Sequence, residues 1–189
     1  VELIYLIALG VWLLLTALGT ITVRRTSPSP DRTAVLLLLF ALFLPLGVVF
    51  LRASRLVLGG IPGAYLPFPR QMAALVIALA PAGLLSGLLF RTAAVLYAGK
   101  GRTLAGAYGI ESVGALAGGL LATLCLRWGI QNLPLAFACC LIAAIAALFL
   151  FRKGGTSRHR GVAAGLATLM AILLWQATPL DRRMTAWNH

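Results

Sequence analysis

Charge is scarce in this sequence, and acidic charge scarcer still: charged side chains make up 11% of 189 residues, and the acids are Glu2, Asp31, Glu111 and Asp181. A soluble domain carries about a quarter of its residues as charges, so this chain cannot cover a water-facing surface. The histidines, His159 and His189, both lie in polar flanks, and Cys125, Cys139 and Cys140 form no CxxC pair. No metal-ligand spacing results, and the three cysteines read as small core residues inside apolar segments. No GxGxxG follows a strand, and P-loop, GxSxG and HExxH patterns are missing. These absences leave no catalytic, cofactor or metal position for self-contained soluble chemistry.

What the sequence has in abundance is apolar length. Hydrophobic residues reach 61% and mean hydropathy +0.98, and they fall in blocks long enough to cross a hydrocarbon layer of about 30 Å. Backbone groups in lipid must be bonded within their own segment, so only helices or a closed barrel are possible. Blocks of this length without apolar/polar alternation predict helices. The fold class expected is all-α: a polytopic transmembrane bundle of about six helices, over residues 3–23, 34–51, 72–97, 104–126, 133–151 and 162–177. Residues 1–177 then form the bundle, and residues 178–189 the juxtamembrane start of a soluble domain lying beyond the chain. Val1 in place of methionine and the polar tail from Asp181 to His189 suggest a piece of something longer. Glu2 stands where the basic region of a signal peptide belongs, so the helices themselves are expected to target the chain.

Sixteen Lys and Arg against four acids give a net charge of +12. Most of the bases lie in the connections, where they meet anionic lipid head groups, and no basic-aromatic stripe suggests nucleic acid. Arg24, Arg25, Arg32, Lys100, Arg102, Arg152, Lys153, Arg158 and Arg160 follow the odd-numbered helices; Arg52, Arg55, Arg70, Arg127, Arg182 and Arg183 lie on the other side. The larger set is expected on the cytoplasmic side, which puts the Asp181 tail outside. Trp128, Trp175 and Trp187 fit interfacial anchoring, whereas Trp12, in mid-helix, reads as a packing residue.

Glu111 is the candidate functional residue, because an ionisable group within a spanning segment is costly and marks a site by default. At about 100° per residue, Tyr108, Glu111, Ala115, Gly118 and Ala122 share one helix face, with Gly114 at its margin. Gly114-Ala115-Leu116-Ala117-Gly118 is a GxxxG that lets another helix approach closely, with Gly119 beside it. Glu111 is therefore expected to face protein. It either holds a cation or a proton, or pairs with Arg91, Arg102 or Arg127, or sits near the helix start where negative charge is favoured. Pro45 and Pro81 lie inside helices and invite kinks. The connection from Arg52 to Arg70, with Gly59-Gly60-Ile61-Pro62-Gly63 and Pro67-Phe68-Pro69, is too broken for a helix and too apolar for a free linker.

Several of these residues resemble a known family. Glu2, Trp12-Leu13-Leu14-Leu15-Thr16-Ala17-Leu18-Gly19, Leu51-Arg52, the stretch from Pro81 through Ser86-Gly87-Leu88-Leu89-Phe90, and above all Tyr108-Gly109-Ile110-Glu111-Ser112-Val113-Gly114-Ala115-Leu116-Ala117-Gly118-Gly119 resemble the membrane region of bacterial spermidine synthase-like proteins. Pro179-Leu180-Asp181-Arg182 looks like the join to that family's soluble part. The resemblance implies a multi-pass protein of the bacterial inner membrane and a parent in which a small β-region and a methyltransferase-like domain follow. That domain would bind decarboxylated S-adenosylmethionine as substrate and transfer its aminopropyl group to putrescine. None of its catalytic or cofactor positions lies in this chain. The partners implied are the bilayer, the following domain and possible further copies of the chain, not nucleic acid. A cytoplasmic catalytic domain after Asp181 conflicts with the arginine count. The rival expectation is half of a transporter or exporter for a small cation or metabolite, gated through Pro45, Pro81 and the Arg52 to Arg70 connection.

Overall fold

The computed structural model describes residues 2–22, 28–59, 66–99, 101–152, 155–177 and 179–180. Six helices follow in order: α1 (Glu2–Thr22), α2 (Pro30–Val57), α3 (Phe68–Ala98), α4 (Leu104–Arg127), α5 (Asn132–Phe151) and α6 (Ser157–Trp175). No strand occurs among the described residues.

Each apolar block is a helix, and the ends are set by polar residues just outside the block. Ser29 Oγ accepts from Arg32 N at 3.2 Å, with Pro30 preset for the first turn and Asp31 beside the positive helix end, so α2 starts four residues before the expected 34. Thr156 caps α6 through His159 N at 3.4 Å, which moves that start to Ser157. Thr103 does the same for α4 through Gly106 N at 3.1 Å. Helix α2 also continues to Val57, so much of the expected Arg52 to Arg70 connection is helical; residues 60–65 lie outside those described. Arg70 closes the connection by donating to the Leu58 carbonyl at 3.2 Å, which satisfies one of the open carbonyls at the end of α2. Pro45 and Pro81 lie inside continuous helices.

Five helices, α1 to α5, are long and apolar enough to cross a membrane. Helix α6 falls short because Arg158, His159 and Arg160 occupy its first turn; its apolar part, residues 161–175, reaches only about 22 Å. Many large apolar side chains are exposed, including Tyr5, Leu6, Leu13 and Ile21 on α1 and Leu116, Leu120 and Leu121 on α4. In water these would be a liability, but hydrocarbon exerts no penalty on them. Hydroxyls within the spans bond to their own helix: Thr16 donates to the Trp12 carbonyl at 2.9 Å, Ser86 to Ala82 at 2.9 Å and Thr92 to Leu88 at 2.5 Å. Such bonding is what a lipid surround requires.

The helices pack as a row, α1 on α3, α3 on α2, α2 on α5 and α5 on α6, with α4 standing off the row against α3 and, more lightly, α5. Small side chains make the central seam: Ala41, Cys140, Ala143, Ala34, Ala147 and Ala163 are buried between α2, α5 and α6, with Leu133, Phe137, Phe151 and Met170 filling the space around them. The closest approach is between α1 and α3. A Cβ at Gly87 would overlap the Thr16 carbonyl oxygen, one at Gly19 the Leu84 carbonyl, and one at Gly83 would stand 2.9 Å from Leu15 Cβ. Only glycine lets these backbones touch, which makes dispersion and Cα–H···O contacts available where lipid supplies no drive for association. Trp12, half-buried on the same helix, offers its backbone to Gly83, while Trp128 and Trp175 are exposed at helix ends.

Candidate functional site

Because α4 stands off the row, a cavity of about 620 Å³ lies between α2, α3, α4 and α5. Its walls are overwhelmingly apolar. Leu37 and Phe40 come from α2, Leu89, Phe90 and Ala93 from α3, Ile110 from α4 and Ile142 from α5. The hydroxyls at the wall are already engaged, Thr33 with the Ser29 carbonyl at 3.1 Å and Ser86 with Ala82. The charged group at the wall is the carboxylate of Glu111.

Helix α4 is held at its beginning. The Phe90 and Tyr108 rings meet at 4.8 Å with planes tilted by 52°. Tyr97 reaches over the first turn, where a Cβ on Gly106 would lie 3.4 Å from the ring. Arg102, just before α4, stacks its guanidinium 4.8 Å above the Tyr97 ring centroid. These aromatic contacts place Glu111 one turn past Tyr108, roughly 10 Å along α4 from Leu104, at the edge of the cavity.

That position removes two of the structural roles open to Glu111. The helix-end field fades within the first turn, and Glu111 lies beyond it. None of the three arginines considered as ion-pair partners serves: Arg91 donates to the Thr20 carbonyl at 3.1 Å, Arg102 is on Tyr97, and Arg127 is at the opposite end of α4. Among the described residues Glu111 has neither hydrogen bond nor ion pair, and its side chain is exposed at the cavity wall.

The glycines expected to pack α4 meet no neighbour within this chain among the described residues. Gly114, Gly118 and Gly119 have nothing within 4 Å of an added Cβ, and no residue of α4 is buried. The ring contacts that hold α4 lie before Glu111, and α4 packs on α3 and α5 more lightly than the other helices pack on one another. The GxxxG that a neighbour does use is Gly83-Leu84-Leu85-Ser86-Gly87 on α3, matched by Thr16, Gly19 and Thr20 on α1. Its spacing was equally visible in the sequence. Arg91 was likewise undervalued, since its guanidinium caps an open carbonyl near the end of α1 while remaining part-buried in the membrane region. The cysteines divide: Cys140 is core, Cys139 is exposed at the cavity wall and Cys125 is intermediate. Among the described residues no three metal-ligating side chains gather.

An apolar pocket of this size with one carboxylate is suited to recognising an organic cation: the walls take the hydrocarbon body and the carboxylate takes the charge. Comparison with known protein families, characterised proteins and solved structures finds no match to this chain.

Proposed function

We propose that this chain is a membrane-embedded binding and anchoring module, whose cavity docks an amine-bearing molecule against Glu111. The supporting observation is a carboxylate that has no ion-pair partner among the described residues and stands at the edge of a large apolar cavity. An uncompensated carboxylate at membrane depth costs free energy, and a cationic ligand offsets that cost. The family resemblance makes the amine a polyamine and the module the anchor of an aminopropyltransferase-like domain following Asp181, in a bacterial inner membrane. A polyamine would place one ammonium on Glu111 and keep its other charges at the head-group level, since the cavity provides a single carboxylate.

Docking is favoured over transport by the extent of the cavity. Its walls come from the first half of α2, the last half of α3 and the start of α4, all toward one face of the membrane, as a docking site entered from that face requires. The test is binding of a long-chain alkylammonium, of its uncharged alcohol analogue and of spermidine to the protein in lipid nanodiscs. Tight binding of the ammonium over the alcohol, weakened roughly tenfold or more by Glu111→Gln, is the expected result, because a charge-assisted contact contributes about 1.5–3 kcal/mol. Equal binding of amine and alcohol, or no effect of Glu111→Gln, would sink the reading. Spermidine binding supports the polyamine assignment, and its absence leaves a monoamine site. Flux of the cation through the reconstituted protein would favour the transporter.

A further inference from the structure

On the opposite side of α2 from the Glu111 cavity, a second groove of about 340 Å³ runs between α2 and α6. Leu38 and Leu42 of α2 face Val162 and Leu166 of α6 across it, and His159 stands at one end. From Val35 to Leu42 it descends roughly 10 Å into the bilayer. The end with His159 lies at the level of Phe151, the last residue of α5, because the two rings stack at 5.2 Å with planes 18° apart. The groove therefore opens at the head-group level and deepens into hydrocarbon.

Its mouth is strongly basic. Arg158 and Arg160 flank His159 in the first turn of α6 and are exposed. Arg152 follows α5 with its guanidinium 5.2 Å above the Phe149 ring, and Arg32 lies in the first turn of α2. The acid at this end among the described residues is Asp31, which has one oxygen buried without a hydrogen-bond partner and so is turned in from the surface. His159 Nδ1 lies 3.2 Å from Thr156 Oγ1, which leaves Nε2 as the nitrogen able to meet a head group.

We infer that this groove holds one anionic phospholipid, its acyl chain between α2 and α6 and its phosphate against Arg158, His159 and Arg160. The charge complementarity selects the anionic head group, because a zwitterionic lipid brings an ammonium toward four guanidiniums. The apolar walls select an intact lipid over a soluble anion, since a free phosphate has no use for the groove. The short apolar part of α6 gains from the same contact: an acyl chain alongside it continues the hydrocarbon seal where the helix alone is too short.

The experiment is native mass spectrometry of the purified chain with equal amounts of phosphatidylglycerol and phosphatidylcholine of matched acyl chains, with sn-glycerol 3-phosphate as competitor. Selective retention of phosphatidylglycerol, undisturbed by the soluble competitor, is expected. Selectivity should fall roughly fivefold for each arginine removed in Arg158→Gln and Arg160→Gln, while Arg127→Gln at the opposite end leaves it unchanged. Leu38→Trp, which fills the groove, should reduce retention of both lipids. Equal retention of the two lipids by the unaltered chain overturns the inference, as does displacement by glycerol phosphate, which would indicate a free-anion site. An equal loss with Arg127→Gln overturns it too, since it would mean a diffuse charge effect. The lipid competition on the unaltered chain decides the matter even if a substituted chain fails to fold.

Discussion

Two glycine motifs of the same spacing meet opposite fates in this molecule. Gly83 and Gly87 on α3 bring that helix into backbone contact with α1, whereas Gly114 and Gly118 on α4 touch nothing within 4 Å. The pattern GxxxG thus measures permission to approach and not approach itself. What separates the two is the facing surface: α1 offers Thr16, Gly19 and Thr20, all small, and Arg91 fastens the pair by capping the Thr20 carbonyl. The rings that fasten helix α4 lie at its beginning, and Gly114 and Gly118 beyond them meet no neighbour among the described residues.

The sharpest way to break this contrast is a bulky residue at each motif. Gly87→Leu should detach α1 from α3 and destabilise the bundle by about 3 kcal/mol, at the upper end of overpacking costs, read as loss of a cysteine cross-link engineered between the two helices. Gly118→Leu should leave that cross-link and the melting of the monomer unchanged. If Gly118→Leu instead abolishes self-association in nanodiscs, the outward glycines serve a second copy of the chain, and the two motifs become alike.

Glu111 tests the same difference through charge. Glu111→Leu should favour membrane insertion of α4 by about 2 kcal/mol, since a carboxylate in a span is costly, and should remove amine binding at the same time. A loss of both insertion and stability would instead reveal a partner for the carboxylate. Arg91→Gln should cost about 1 kcal/mol by uncapping α1, seen as faster hydrogen exchange at the end of that helix; unchanged exchange there would remove the fastening role. The smallest effect belongs to Arg102→Gln, at most about 0.5–1 kcal/mol from the lost contact with Tyr97, measured as a shift in the thermal midpoint of α4 release. An effect larger than that of Arg91→Gln would place the stronger fastening on α4.

The helices were legible because solvent and length decide them together. A run such as Leu36-Leu37-Leu38-Leu39-Phe40 has only one way to satisfy its backbone in hydrocarbon. Their ends were less legible, since Ser29 and Thr156 act through single hydrogen bonds outside the apolar runs. The Glu111 site was half legible. The lone carboxylate in an apolar span announces itself in any sequence, but the cavity beside it exists because α4 leans away from the row, and no residue of α4 encodes that alone. Glu111 lines a cavity between helices and has no bonded partner among the described residues, because a small-residue face permits a neighbour without supplying one.

The amino-acid sequence alone determined the solvent, the helical class, the rough spans and the single intramembrane acid of α4, because transfer to hydrocarbon depends on local composition and length. Which glycines are used, where the arginines go and that an apolar cavity borders Glu111 were decided only by tertiary packing. Contacts in lipid depend on the match between two faces distant in the chain, and that match is a property of pairs, not of either helix by itself.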